Sequence, residues 1–114
     1  MAKLTVIEAN DALTHVALHG RLDISGVGEV ELHLTAQTVA RRKPAIIDLS
    51  AVELLASIGI GMLVKIARSL HSHGVMLVVV ATGISKDNLE RLKVNEIFPI
   101  VSTSDEALRI LVID

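Results

Sequence analysis

No cysteine, tryptophan or tyrosine occurs among the 114 residues, and Phe98 is the single aromatic side chain. Without cysteine there is no disulfide, no Cys-based zinc site, no Cys-ligated iron–sulfur cluster and no thiol nucleophile. Without aromatic platforms the chain has little on which to stack unpaired bases, and a formal net charge of −2 supplies no basic footprint for phosphates. Nucleic acid is not an expected direct ligand. Long apolar runs are missing as well. The longest, Val75 to Ala81, falls far short of the ~20 residues that span a bilayer, so membrane insertion is not expected. The opening residues MAKLTVIEAN show no basic segment followed by an apolar stretch of signal-peptide length. These absences describe a soluble intracellular protein, expected in the cytoplasm.

What is present is mainly aliphatic. Apolar residues make up 51% of the chain and charged residues 21%, so Leu, Ile, Val and Ala must build the core. The length predicts one domain, residues 1–114. At this size folding buries roughly two thirds of the unfolded surface, enough for a core without disulfides or a structural metal.

Residues 3–9 (KLTVIEA) and 13–19 (LTHVALH) are short, partly alternating and rich in β-branched residues. Asn10-Asp11 between them is turn chemistry, which predicts a β-hairpin whose second strand ends at Gly20. From Val27 to Ala40 apolar residues recur at helical spacing, with Ser25 or Gly26 as the cap and Pro44 forbidding continuation. Residues 45–49 (AIIDL) suit a central strand. A second helix begins near Ser57 or Ile58, carries Ile60, Leu63, Val64, Ala67 and Leu70 on one face, and stops at Gly74. Val75 to Val80 is a strand with two buried faces. Ser85 is read as the cap of a short helix with Leu89 and Leu92 inward, Ile97 to Val101 as a last short strand, and Thr103 with Glu106 as a capping box opening the final helix. The order β-β-α-β-α-β-α-(β)-α predicts an α/β fold: a mixed sheet, mostly parallel at its centre, with helices packed on it.

In such sheets partners tend to meet the loops at the carboxyl ends of the central strands. Asp48-Leu49-Ser50 leads there, followed by a short apolar loop and then Ala56-Ser57-Ile58-Gly59-Ile60-Gly61 at a helix start. Ser57 has two uses. Its oxygen could cap the helix by accepting a first-turn N–H, or it could carry a phosphate, which the free N–H groups and positive dipole end favour. Gly59 and Gly61 would leave the backbone open to a close partner surface, or are simply permissive. Other chemistry is absent. The pair Gly59-x-Gly61 lacks the third glycine of a dinucleotide fingerprint, and no phosphate-binding Gly-Lys-Ser/Thr loop exists. His15, His19, His33, His71 and His73 have no metal-ligand spacing, Asp23, Asp48 and Glu53 find no nucleophile and orienting group, and Arg41-Arg42-Lys43 reads as a solvated helix end. No cofactor, no metal and no catalytic residue are expected.

Two motifs together resemble the STAS domain of bacterial anti-sigma factor antagonists. The first is Asp-x-Ser, a short apolar loop and Asp-Ser-[Ser/Thr]-Gly-[Leu/Ile]-Gly, present as Asp48-Leu49-Ser50 and Ala56-Ser57-Ile58-Gly59-Ile60-Gly61. The second is Gly-[Glu/Arg]-Leu-Asp after the second strand, present as Gly20-Arg21-Leu22-Asp23. The resemblance covers essentially the whole chain. It implies that Ser57 is phosphorylated by an anti-sigma factor serine kinase, that the unphosphorylated protein binds this kinase and releases the sigma factor, and that a PP2C-type phosphatase resets the switch. It also implies that Asp23 lies on the kinase-contacting surface, together with Ser25, Ser50, Ala56, Ile58, Gly59 and Gly61. This chain departs from the pattern at two places: Ala56 replaces the acid before the acceptor, and Ile58 replaces the hydroxyl residue after it.

The expected function is therefore a protein-binding regulator and not an enzyme. A non-switching STAS subunit of a stress-signalling or lipid-transport complex is the alternative, motivated by the apolar Ala56 and Ile58.

Overall fold

In the computed structural model, which describes residues 1–112, Asn10 turns the first two strands into a hairpin. Residues 113–114 of the expected 1–114 unit lie outside the described residues. Asn10 Oδ1 accepts the N–H groups of Ala12 at 2.8 Å and Leu13 at 3.0 Å, an Asx turn that joins β1 (Lys3–Ala9) to β2 (Thr14–Leu22). The chain then runs through α1 (Ile24–Gln37), β3 (Ala45–Leu55), α2 (Ser57–Ser72), β4 (Leu77–Val80), α3 (Gly83–Arg91), a 3-10 turn (Val94–Glu96), β5 (Ile100–Val101) and α4 (Ser104–Val112). The five strands form one sheet in the order β1-β2-β3-β4-β5. β1 and β2 are antiparallel and every other pair is parallel.

Period-two alternation sends side chains to both faces of this sheet, and both are covered. One face carries Val16, Leu18 and Leu22 of β2, Ala45, Ile47 and Leu49 of β3, and Leu77 and Val79 of β4. Against it pack Val30 and Leu34 of α1, Leu63, Ile66 and Leu70 of α2, and Leu89 of α3. The opposite face carries Ile46, Val78 and Val80 beneath Ala107 of α4. Among the described residues no helix is long and apolar enough to cross a membrane.

Several boundaries differ from expectation. β2 does not end at Gly20 but continues to Leu22, passing Gly20 with a left-handed φ of +89° and a register shift against β3. This extension gives β3 a partner for longer than five residues, so the expected apolar loop at 51–55 is strand. Between the pairs Ala17–Asp48 and His19–Ala51, β3 has one more residue than β2. The bulge is held by Asp48, whose Oδ1 accepts both the N–H of Ser50 at 2.8 Å and its hydroxyl at 2.5 Å.

α1 begins three residues earlier than its apolar stripe suggested, because Asp23 is the cap and neither Ser25 nor Gly26. α3 is capped at Thr82, so Ser85 lies inside the helix, buried, and Leu92 follows its end with 53% exposure instead of facing inward. β4 starts at Leu77 and β5 shrinks to two residues, since the 3-10 turn and buried Phe98 occupy the chain just before it. The capping box is present: the N–H of Glu106 donates to Thr103 Oγ1 and the N–H of Thr103 to Glu106 Oε1, both at 3.1 Å.

Candidate functional site

β2, β3 and β4 are mutually parallel, and α1, α2 and α3 each begin beyond the carboxyl end of one of them; β2 and β3 end together at the Leu22–Leu55 pair, whereas β4 ends level with Asp48, seven residues short of Leu55. Each start has its own chemistry. At α1, Asp23 Oδ1 accepts the N–H of Gly26 at 2.9 Å and Oδ2 faces Arg21 Nε at 3.6 Å. The Gly26 bond, and after it the Arg21 charge, hold the Asp23 carboxyl below its ordinary range against a smaller opposing effect of desolvation. Gly26 is obligatory at this point, since a Cβ would fall 1.7 Å from the Arg21 carbonyl oxygen. Ser25 is exposed in the first turn.

At α2 the cap position is Ala56, in extended backbone and with no side chain to offer. Its carbonyl accepts the N–H groups of Gly59 at 2.9 Å and Ile60 at 3.1 Å. Ser57 is therefore the first helical residue and not the cap. It is exposed, and no described residue bonds its hydroxyl. Ile58 beside it is 43% exposed.

The two sequence motifs meet through Leu22. Its carbonyl accepts the Ala56 N–H at 3.1 Å, and a Cβ on Gly59 would stand 3.0 Å from both its Cβ and its carbonyl oxygen. Gly59 thus serves close packing of α2 on β2 and does not open the surface, which corrects its expected place on a partner face. Gly61, one turn after Ser57, is exposed with open space around it. Ser50 is not brought to the start of α2. At ~3.3 Å per strand residue it sits about 16 Å before Leu55, with its hydroxyl bonded to Asp48.

Among the described residues no three His, Asp or Glu side chains gather as a metal ion would require. Among the described residues no side chain hydrogen-bonds Ser57 as a base would. The arrangement offers an exposed hydroxyl on a rigid helix start, which can be modified or covered by a partner.

A family model for the STAS domain matches residues 5–107. The chain belongs to the STAS domain family. This STAS domain superposes on the crystal structure of an anti-sigma factor antagonist from Mycobacterium paratuberculosis with a TM-score of 0.88 and 29% identity, covering 97% of this chain and 94% of that one. It also matches the anti-sigma factor antagonist SpoIIAA in its unphosphorylated form, with a TM-score of 0.73, 14% identity and coverage of 98% and 100%. The phosphorylated form of SpoIIAA, a Bacillus cell fate determinant, matches with a TM-score of 0.69, 11% identity and coverage of 95% and 99%. At those identities the SpoIIAA matches speak for the fold alone. No curated protein sequence matches the chain significantly.

Sequence reasoning missed exposed apolar residues at the helix starts of this STAS domain. Ile24, the first residue of α1, is 77% exposed, and Ile84, the second residue of α3, is 74% exposed. With Ile58 they place an exposed isoleucine in the first turn of each of the three helices. Had α1 been read from an Asp cap, Ile24 would have fallen off its apolar stripe. A cleft of about 380 Å³ also opens between the start of α2 and the end of α3, with Ser57 on one side and Asn88 and Arg91 on the other. Asn88 Nδ2 donates to the Leu55 carbonyl at 3.3 Å, pinning α3 to the last residue of β3. Periodicity along α3 contained no sign of this contact.

Proposed function

We propose that this chain is an anti-sigma factor antagonist: a single STAS domain over residues 1–114, acting in the cytoplasm as a binding regulator and not as an enzyme. The observation that carries this reading is Ser57, an exposed and unbonded hydroxyl at the first position of α2 in a STAS fold. The anti-sigma factor antagonist from Mycobacterium paratuberculosis, 29% identical over nearly the whole chain, supports the role. Unphosphorylated, the edge formed by Asp23, Ser25, Ala56, Ser57, Ile58 and Gly61 docks on an anti-sigma factor serine kinase. The kinase transfers the γ-phosphoryl group of ATP to Ser57 Oγ, with loss of the hydroxyl proton and departure of ADP. The added charge of about −1.5 to −2 must then be desolvated for the complex to form, and it dissociates. A PP2C-type phosphatase hydrolyses the phosphoserine and restores binding.

Incubation with the kinase encoded nearest the gene and ATP, followed by intact-mass measurement, tests this. One phosphate is expected on the wild type and none on Ser57→Ala. A wild type that neither gains mass nor binds such a kinase would overturn the reading.

A second reading follows from the apolar Ala56 and the exposed Ile58 on either side of Ser57, which suit a permanent contact. It is a non-switching STAS subunit of a stress-signalling or lipid-transport complex. Co-purification with scaffold or transporter subunits, unchanged by Ser57→Asp, would favour it over the switch.

A further inference from the structure

We propose that Arg91 receives the phosphate of phosphorylated Ser57, so that the phosphoserine folds into the cleft between α2 and α3 and pairs with the guanidinium of its own chain. This inference rests on the reading of Ser57 as a phosphoacceptor.

Three observations converge on Arg91. The first is placement. Ser57 and Arg91 line the same cleft of about 380 Å³, and the bond from Asn88 to the Leu55 carbonyl fixes the far wall relative to the chain entering Ser57. Arg91 is three residues after Asn88, on the same face of α3, and its Nη1 touches Asn88 Oδ1 at 3.5 Å. That bond is long enough to be surrendered easily.

The second observation is charge. The other side chains around the cleft, Leu55, Ala56, Ile60 and Leu92, are apolar, so no carboxylate there competes for the guanidinium or repels a phosphate. Arg21 beside the start of α1 has Asp23 at 3.6 Å, and Lys65, two turns into α2, has Glu31 at 3.3 Å. Among the described residues no carboxylate lies within 4.0 Å of Arg91.

The third is chemistry. Ser57 Oγ is not engaged by any described residue, so a phosphate attached to it is free to turn toward α3. A guanidinium presents a planar fork of N–H donors that matches two phosphate oxygens, which an ammonium cannot do. The resulting pair would bridge the first turn of α2 to the last turn of α3. Phosphorylation would then also tether two helices within the domain, in addition to altering the outer surface.

The test installs phosphoserine at position 57 during translation, so that no kinase is needed, in the wild type, Arg91→Gln and Arg91→Lys. Arg91 is exposed, and the melting temperature of each unphosphorylated protein verifies its folding. Titration followed by phosphorus NMR then reads the second ionisation of the phosphate, ordinarily near about 6. An adjacent cation favours the dianion. The wild type should titrate about 0.3–0.7 unit below Arg91→Gln at low salt, with Arg91→Lys between them and the gap closing as salt is added. Equal values in wild type and Arg91→Gln would overturn the proposal. Whether phosphoserine at 57 abolishes kinase binding is measured in a separate binding assay, so the failure of either idea is seen without the other.

Discussion

Asp23 and Gly26 are joined by a 2.9 Å bond from the glycine N–H to the aspartate Oδ1, and this bond starts α1 beside the proposed contact surface. Asp23→Ala should therefore lower the melting temperature, whereas Asp23→Asn, which also caps well, should keep most of it. The two differ in acid. The Asp23 carboxyl is held below its ordinary value of 3.8 by the Gly26 bond and Arg21, so its charge contributes stability above that pH, which is lost as pH falls through the lowered folded value. Denaturant titrations across that range should show a shallower acid slope in Asp23→Asn.

Gly59 and Gly61 occupy the same turn region of α2 and should respond oppositely to alanine. At Gly59 the added Cβ meets Leu22 and Leu55 at 3.0 Å, and the strain should cost about 1–3 kcal/mol. At Gly61 it meets nothing, and removing a glycine from a helix interior should stabilise by about 0.5–1 kcal/mol. Chemical unfolding checks the signs, and a binding assay checks whether Gly61→Ala, although more stable, loses affinity for the partner.

Exchanging Ile24 or Ile84 for Asp tests whether these exposed isoleucines meet the partner. Both are more than 70% exposed, so stability should change by no more than about 0.5 kcal/mol. Partner affinity should fall roughly fivefold or more if these residues are central to the contact. Calorimetry with the purified partner provides the number, and unaltered affinity in both variants would remove them from the interface.

His15 lies on the sheet face opposite α1 and α2, only 6% exposed, with Nε2 at 3.5 Å from Ser104 Oγ of α4. Burial lowers its pKa from 6.5, opposed by the charges of Asp48 and Glu8. The unfolded chain thus takes up this proton at a higher pH than the folded one. The associated stability is complete above 6.5 and declines as pH falls from there through the folded value. His15→Gln should flatten that part of the stability profile, as read by melting temperature at a series of pH values.

The element order and the two-faced central strands were legible because buried parallel strands in this chain are runs of branched aliphatic residues, such as LVVV at 77–80. The length of β3 was not. Pairing of Ala51 to Leu55 depends on β2 continuing past Gly20, a long-range relationship to which local pattern is blind. At the site, Ser57 was legible from its motif, but its freedom from capping was not, because that depends on Ala56 taking the cap position. The roles of Gly59 and Asn88 were hidden for a related reason. Each depends on a residue far away in the sequence, Leu22 for Gly59 and Leu55 for Asn88.

The chain enters the fold on this same rim. The Ala2 N–H donates to Glu29 Oε1 of α1 at 2.8 Å, and Met1 lines a shallow hollow with Arg21, Asp23 and Ser25. A peptide joined ahead of Met1 would thus emerge next to the proposed docking edge, and a segment with affinity for that edge would compete there at high effective concentration. An affinity handle placed there would stand beside the docking surface, with every contact residue intact.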